Sequence, residues 1–194
     1  NYAMLLTSPA LKVIHVSTHI ALCQTGTRAT KERVYTVIKL AQEAMQLLGI
    51  YNPKIGVAGL NPHSSEHGLF GTEEQDGIIP AIEQARAEGL DVDGPVPPDT
   101  VFVKAMAKQY DIVVAMYHDQ GHIPVKLSGF SIDEITGEFE SRGVNVTVGL
   151  PIIRTSVDHG TAFDRAGKGI ASEGSMLDSI ELAVTMAKNR AKKN

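Results

Sequence analysis

The chain has 194 residues, 43% of them hydrophobic, with a formal net charge of -4, which is enough for one sizeable domain or one and a half. No basic block precedes the last few residues, so neither nucleic acid nor a membrane surface is suggested as a partner. Cys23 alone excludes an internal disulfide and fits a reducing, cytoplasmic setting, and no apolar run is long enough to span a bilayer.

The opening NYAMLLTSPALKV has neither the basic region nor the apolar core of a signal peptide. Position 1 is not Met, so the chain is expected to begin partway through a longer protein. Residues 11–22, LKVIHVSTHIAL, are rich in β-branched side chains and predict a strand running into a loop. Thr27 or Thr30 then caps a helix with Val34, Val37, Ile38, Ala41, Met45 and Leu48 at helical spacing and Gly49 at its end. KIGVAGL predicts a short buried strand and NPHSSEHGLFG a loop. Thr72 caps a second helix, TEEQDGIIPAIEQARAEG, in which Pro80 forces a late start or a kink. DGPVPPD is expected to be a turn, followed by a helix near residues 100–108 and the strand DIVVAMY. Residues 127–143 look like a polar excursion, NVTVGLPIIR is strand-like, and Gly174 and Ser175 open a last amphipathic helix. Strands alternating with helices argue an α/β sheet with a substantial parallel part.

Chemistry gathers just past three of these strands. His19 follows KVIHVST, His63 follows IGVAGL, and His118 follows DIVVAMY. Open α/β sheets bind ligands beyond the carboxyl ends of their strands. If the three strands are parallel neighbours, three neutral imidazoles converge and can cage a divalent metal. Asp119, Asp99 and Asn61 are candidates to hold the ring nitrogens. A lone histidine at a strand end is more often a hydrogen-bonded loop residue, and no compact motif such as H-E-x-x-H is present. His15, His67 and His122 are assigned to structure or support.

Two more groupings follow. RTSVDHGTAFDRAGKGIAS, residues 154–172, holds a glycine-rich loop whose backbone donors can cradle a phosphate or nucleotide. The bland alternative is an ordinary turn before a helix. Lys126, Asn145 and Arg154 could together bind a phosphorylated, carboxylated anion; each cation is otherwise a common surface charge.

Taken together, GLNPH, GTEE, PPDT, AMYHDQG, GVNVTVGLPIIRTSVDHGTA and AGKG strongly resemble the 4-hydroxythreonine-4-phosphate dehydrogenase (PdxA) family. The resemblance covers nearly the whole chain, but only the later part of the family's sequence. It implies an isocitrate/isopropylmalate dehydrogenase-like α/β fold with one domain and part of a second, the N-terminal segment being absent. Residues 1–150 would form the metal- and substrate-binding domain, and 151–194 a C-terminal segment with the NAD-binding loop and last helix. The family's metal ligands fall on His19, His63 and His118, and its substrate-binding residues on Lys126, Asn145 and Arg154. The loop similar to the adenosine site of the related dehydrogenases places NAD or NADP against His159, Gly160, Thr161, Ala162, Asp164 and Gly167. A homodimer that completes each site is also implied, with zinc, cobalt or magnesium as the ion.

The resemblance further implies oxidation of a hydroxyl with hydride passing to the nicotinamide, and loss of CO2 from the resulting β-keto acid. Asp119 and Lys126 are the candidate proton carriers on placement alone. Three features depart from the main family pattern. SIDEITGEFESR is interposed between Phe130 and Gly143, HDQG is followed by HIP, and the loop after NPH reads SSEHG. These look more like the branch that converts D-threonate or D-erythronate 4-phosphate to dihydroxyacetone phosphate and CO2. The alternative is the 4-hydroxy-L-threonine 4-phosphate dehydrogenase of pyridoxal phosphate biosynthesis. A metal-dependent hydrolase using the same histidines is a rival of another class, and a third possibility is a folded portion inactive by itself.

Overall fold

The computed structural model describes residues 1–132, 139–161, 163 and 166–193. Two apolar β-branched runs, β3 (Ile55–Ala58) and β5 (Ile112–Ala115), are buried at every position, as strands covered on both faces must be. They sit in a seven-stranded sheet with β1 (Ala3–Thr7), β2 (Lys12–His15), β4 (Val92–Val96), β8 (Val144–Val148) and β9 (Arg154–Val157), in the order β4-β3-β5-β2-β1-β8-β9. The first four in that order are mutually parallel. The remaining three join antiparallel, with β1 pairing β2 on one side and β8 on the other.

Helices cover both faces. α1 (Lys31–Leu47), α2 (Ile79–Ala87) and α5 (Gly174–Lys193) bury Val34, Ile38, Ala81, Ile82 and Met186 against one core cluster. α3 (Pro98–Met106) and α4 (His118–Gly129) bury Val101, Phe102 and Val125 against the other. Thr30, not Thr27, caps α1, accepting a hydrogen bond at Oγ1 from Arg33 N at 3.3 Å. Gly49 continues past its end at φ +90°, where a side chain would be strained.

The structure corrects or completes the sequence reading at four places. β1 was hidden in the opening segment, where a short apolar stretch carries no clear alternation. DGPVPPD is not a turn: its first half completes β4, an edge strand, where glycine and proline are tolerated because one side of the ladder is open. α2 starts late, at Ile79, in keeping with Pro80. A wide π turn, Glu74–Ile78, precedes it, Pro80 sits where the two meet, and Thr72 Oγ1 donates to Asp76 Oδ2 at 2.7 Å. Finally, the segment after DIVVAMY, to which the sequence reading gave no element, is helical. Helix α4 begins at His118 and runs through Pro124 to Gly129. The interposed segment contributes β6 (Phe130–Ile132) and β7 (Phe139–Ser141), an antiparallel pair; residues 133–138 lie outside the described residues.

Candidate active site

β3, β5 and β2 are adjacent and parallel, so the segments carrying His63, His118 and His19 leave the sheet at one edge. His19 and His118 meet there, with ring centroids 5.8 Å apart. They share a cavity of about 410 Å³ with Thr18, Tyr117 and Asp119. A larger cavity of about 860 Å³ adjoins it through Leu22, Thr25 and Tyr117 and reaches Asn61 and Glu73. His63 does not join the pair; its ring neighbour is Phe70, at 6.4 Å between centroids. Among the described residues no three His, Cys, Asp or Glu groups lie close enough to hold an ion. Two imidazoles of this kind could serve as two members of a ligand set for a divalent ion.

His118 is held from several sides. Its Nδ1 donates to Asp119 Oδ1 at 2.6 Å, which leaves Nε2 as the donor atom for an ion. His122, one helical turn on, lies flat against it: ring centroids are 3.6 Å apart and the planes 13° from parallel. His122 Nδ1 donates to His118 O at 2.9 Å. Beneath His122 lies His15, 4.7 Å away, fully buried on β2 and donating from Nδ1 to Met4 O at 3.1 Å. Burial, then the neighbouring His122, pushes the His15 imidazole down to about 3. Burial and His118 push His122 down to about 4. Both rings are therefore neutral near pH 7.

The His63 turn is built differently. Residues from His63 to His67 all take positive φ, between 47° and 65°, a left-handed coil that disfavours side chains. Its entry is clamped by Glu74, which has no exposed surface. Glu74 Oε1 accepts from Leu60 N and Asn61 N, each at 2.8 Å, and Oε2 from Asn61 Nδ2 at 2.9 Å. Glu73 Oε2 takes the same amide at 2.8 Å. Asn61 therefore serves two acids and holds no histidine, and Asp99 lies exposed beside Thr100. Of the three candidates to hold a ring, Asp119 alone bonds one. Sequence reasoning missed Glu74 because an acid near the start of a helix is expected to face water. A hint was its spacing four residues before the buried Ile78, which puts the two on one helical face.

Lys126 projects from α4, with Nζ 3.5 Å from Asp158 O. Asn145 pairs in register with Leu6, whose side chain packs with Val125 of α4, so Asn145 lies on the α4 side of the sheet. Its Oδ1 is buried with no hydrogen-bond partner among the described residues. Arg154 is exposed and donates to Thr147 Oγ1 at 2.9 Å. The Asp158 carboxyl is pushed up by burial, against the opposing pull of Lys126, His159 and His118. Beyond it, His159, Gly160, Thr161 and Gly167 are all exposed, and a methyl group at Gly160 or Gly167 would meet open space. Ala162 and Asp164 lie outside the described residues.

The profile of PdxA, the pyridoxal phosphate biosynthetic protein, matches residues 1–183. This chain belongs to the PdxA family. Within that family it is 55% identical over 187 residues to the D-threonate 4-phosphate dehydrogenase of Salmonella typhimurium, covering 96% of this chain and 54% of that protein. It is 47% identical over 186 residues to the 4-hydroxythreonine-4-phosphate dehydrogenase of Desulforapulum autotrophicum, covering 95% and 52%. The crystal structure of 4-hydroxythreonine-4-phosphate dehydrogenase from Klebsiella pneumoniae superposes with a TM-score of 0.81 at 51% identity, covering 96% of this chain and 54% of that one. The dehydrogenase fold is thereby established, and the chain spans about half the length of the PdxA relatives it matches. No helix among its described residues is long and apolar enough to cross a membrane.

Proposed function

We propose that the chain works within a metal-dependent NAD(P) oxidoreductase that oxidises and decarboxylates D-threonate or D-erythronate 4-phosphate to dihydroxyacetone phosphate and CO2. The observation that carries this is the meeting of His19 and His118 past adjacent parallel strands, in a chain of a family whose named members are dehydrogenases. When bound, a divalent ion such as zinc, cobalt or magnesium supplies a Lewis acid and the nicotinamide a hydride acceptor.

The chain's own groups divide the remaining work. His19, His63 and His118 are the proposed ligands, and a second copy in a homodimer completes the set that one copy leaves open. Asp119 fixes the tautomer of His118 through their hydrogen bond. Lys126, Asn145 and Arg154 bind the anionic substrate; Lys126 and Arg154 match its carboxylate and phosphate, while the buried Asn145 Oδ1 accepts from a hydroxyl. Lys126 carries the proton, with Asp119 as its alternate. His159, Gly160, Thr161, Ala162, Asp164 and Gly167 receive the adenosine end of the cofactor.

The choice of substrate rests on the higher identity to the relative named for D-threonate 4-phosphate, 55% against 47%, together with the HIP sequence and the interposed segment. The pyridoxal phosphate route, with 4-hydroxy-L-threonine 4-phosphate as substrate, is favoured by the family's description. NADH formation from each substrate, with and without a chelator, separates the two. Chelator-sensitive turnover of D-threonate or D-erythronate 4-phosphate is expected. Turnover of the aminated substrate alone would assign the protein to the vitamin route, and full activity in His118→Ala would remove the metal assignment. Any activity that needs no nicotinamide would point to the hydrolase.

A further inference from the structure

Three imidazoles form a column from the sheet to the site edge, and its middle member has no part in the chemistry above. The column starts at Met4 O on β1, which accepts from His15 Nδ1. It continues through His122, 4.7 Å from His15, to His118, 3.6 Å from His122. Its spacing is set by backbone. A Cβ added at Gly121 would lie 2.3 Å from His15 Nε2 and 2.8 Å from Val13 Cγ1, so α4 rests directly on β2 at that glycine. His122 follows immediately and is carried to one place over His15.

We propose that His122 is a positioning residue that fixes the plane of the His118 ring, a role that rests on the proposed metal-ligand function of His118. The His118 side chain keeps 38% of its surface exposed and Asp119 keeps 71%. A contact between two such exposed groups does little to hold a ring still in water. Asp119 restrains one edge of the imidazole; His122 covers one face. Edge and face together leave Nε2 a single direction, whereas edge alone allows the ring to tilt about the Nδ1 bond. The flat apposition at 13° suits this task, because any ring at position 122 can provide it and a branched aliphatic chain cannot. The HIP that follows HDQG thus supplies support for a neighbouring ligand.

The test uses the whole chain labelled at histidine Cε1, whose seven histidines are assigned by single substitutions. In the unaltered chain the His118 ring protons should be shifted upfield and show a nuclear Overhauser contact to His122. His122→Leu should move the His118 signals downfield towards free imidazole, while His122→Phe should keep them upfield. Zinc titration should show affinity lowered about tenfold or more by His122→Leu and largely rescued by His122→Phe. Unmoved His118 signals in a folded His122→Leu chain would overturn the proposal. If that variant does not fold, absence of the His118–His122 contact in the unaltered chain overturns it instead. Zinc affinity indifferent to His118→Ala would remove the metal reading while leaving the ring contact standing, so the two failures are distinct.

Discussion

The turn after β3 and the helix after β5 bring histidines to the same edge of the sheet by opposite means. His63 sits in a left-handed coil whose entry is held by carboxylate hydrogen bonds from Glu74 and Glu73. His118 opens a right-handed helix and is held by stacked neutral rings and one carboxylate. The first device is polar and local, and it offsets backbone strain with charge-assisted hydrogen bonds. The second reaches through the core to β1 and depends on rings remaining uncharged. One edge therefore contains two supports with different weaknesses, which perturbation can separate.

The largest effect is expected from Glu74→Ala. It strands two backbone N–H groups and the Asn61 amide inside the protein, at a cost of about 3 kcal/mol. Urea unfolding measures it, and a loss below about 1 kcal/mol would mean that water or Glu73 replaces the clamp. The His118 signals should not move, since the ring column does not touch this carboxylate.

Acid should strike the other support. His15 has its pKa lowered from 6.5 to about 3 by burial, then by His122 and His118, with the bond to Met4 O acting the other way. The unfolded chain therefore binds the proton more readily than the folded one. This contribution to stability is complete above about pH 6.5 and falls as pH drops towards about 3. In the middle of that window the slope from His15 approaches about 1.4 kcal/mol per pH unit. Unfolding curves between about pH 7 and pH 4 should show the decline, and a flat profile would sink the assignment of a buried neutral ring.

The smallest effect sharpens the first support. Glu66 is exposed at φ 47°, so Glu66→Gly should relieve strain and raise stability by about 0.5–1 kcal/mol after the added freedom of the unfolded chain is counted. Glu66→Ala should bring no such gain. Equal effects of the two, read by thermal melts, would show that the coil is not left-handed at this position.

Much of this was legible in the sequence. Continuous apolar β-branched runs marked β3 and β5, helical spacing marked α1 and α5, and the strand-to-histidine order placed three imidazoles at one edge. What escaped was set by contacts distant in sequence. β4 contains Gly94 and Pro95 and exists because it borders β3. Helix α4 includes Gly121 and Pro124, two poor helix formers, and is kept by packing on β2, where Gly121 is the residue that fits. Glu74 looked like a surface acid because its partners, Leu60 and Asn61, lie in another element. The pairing of His15 with His122 could not be seen without the register of helix on sheet.

The place of β1 has a bearing on how the molecule assembles. It lies between β2 and β8, so it joins the parallel block to the antiparallel one. Its pairing with β2 is between near neighbours along the chain, but its other edge waits for Val144–Val148. During synthesis the apolar strand AMLLT therefore keeps this side unpaired with β8 until Val144–Val148 has emerged. Closing that ladder joins segments far apart in sequence, a slow step for topological reasons. In that interval the open edge invites pairing with other chains, and the emergence of β8 is what ends the exposure.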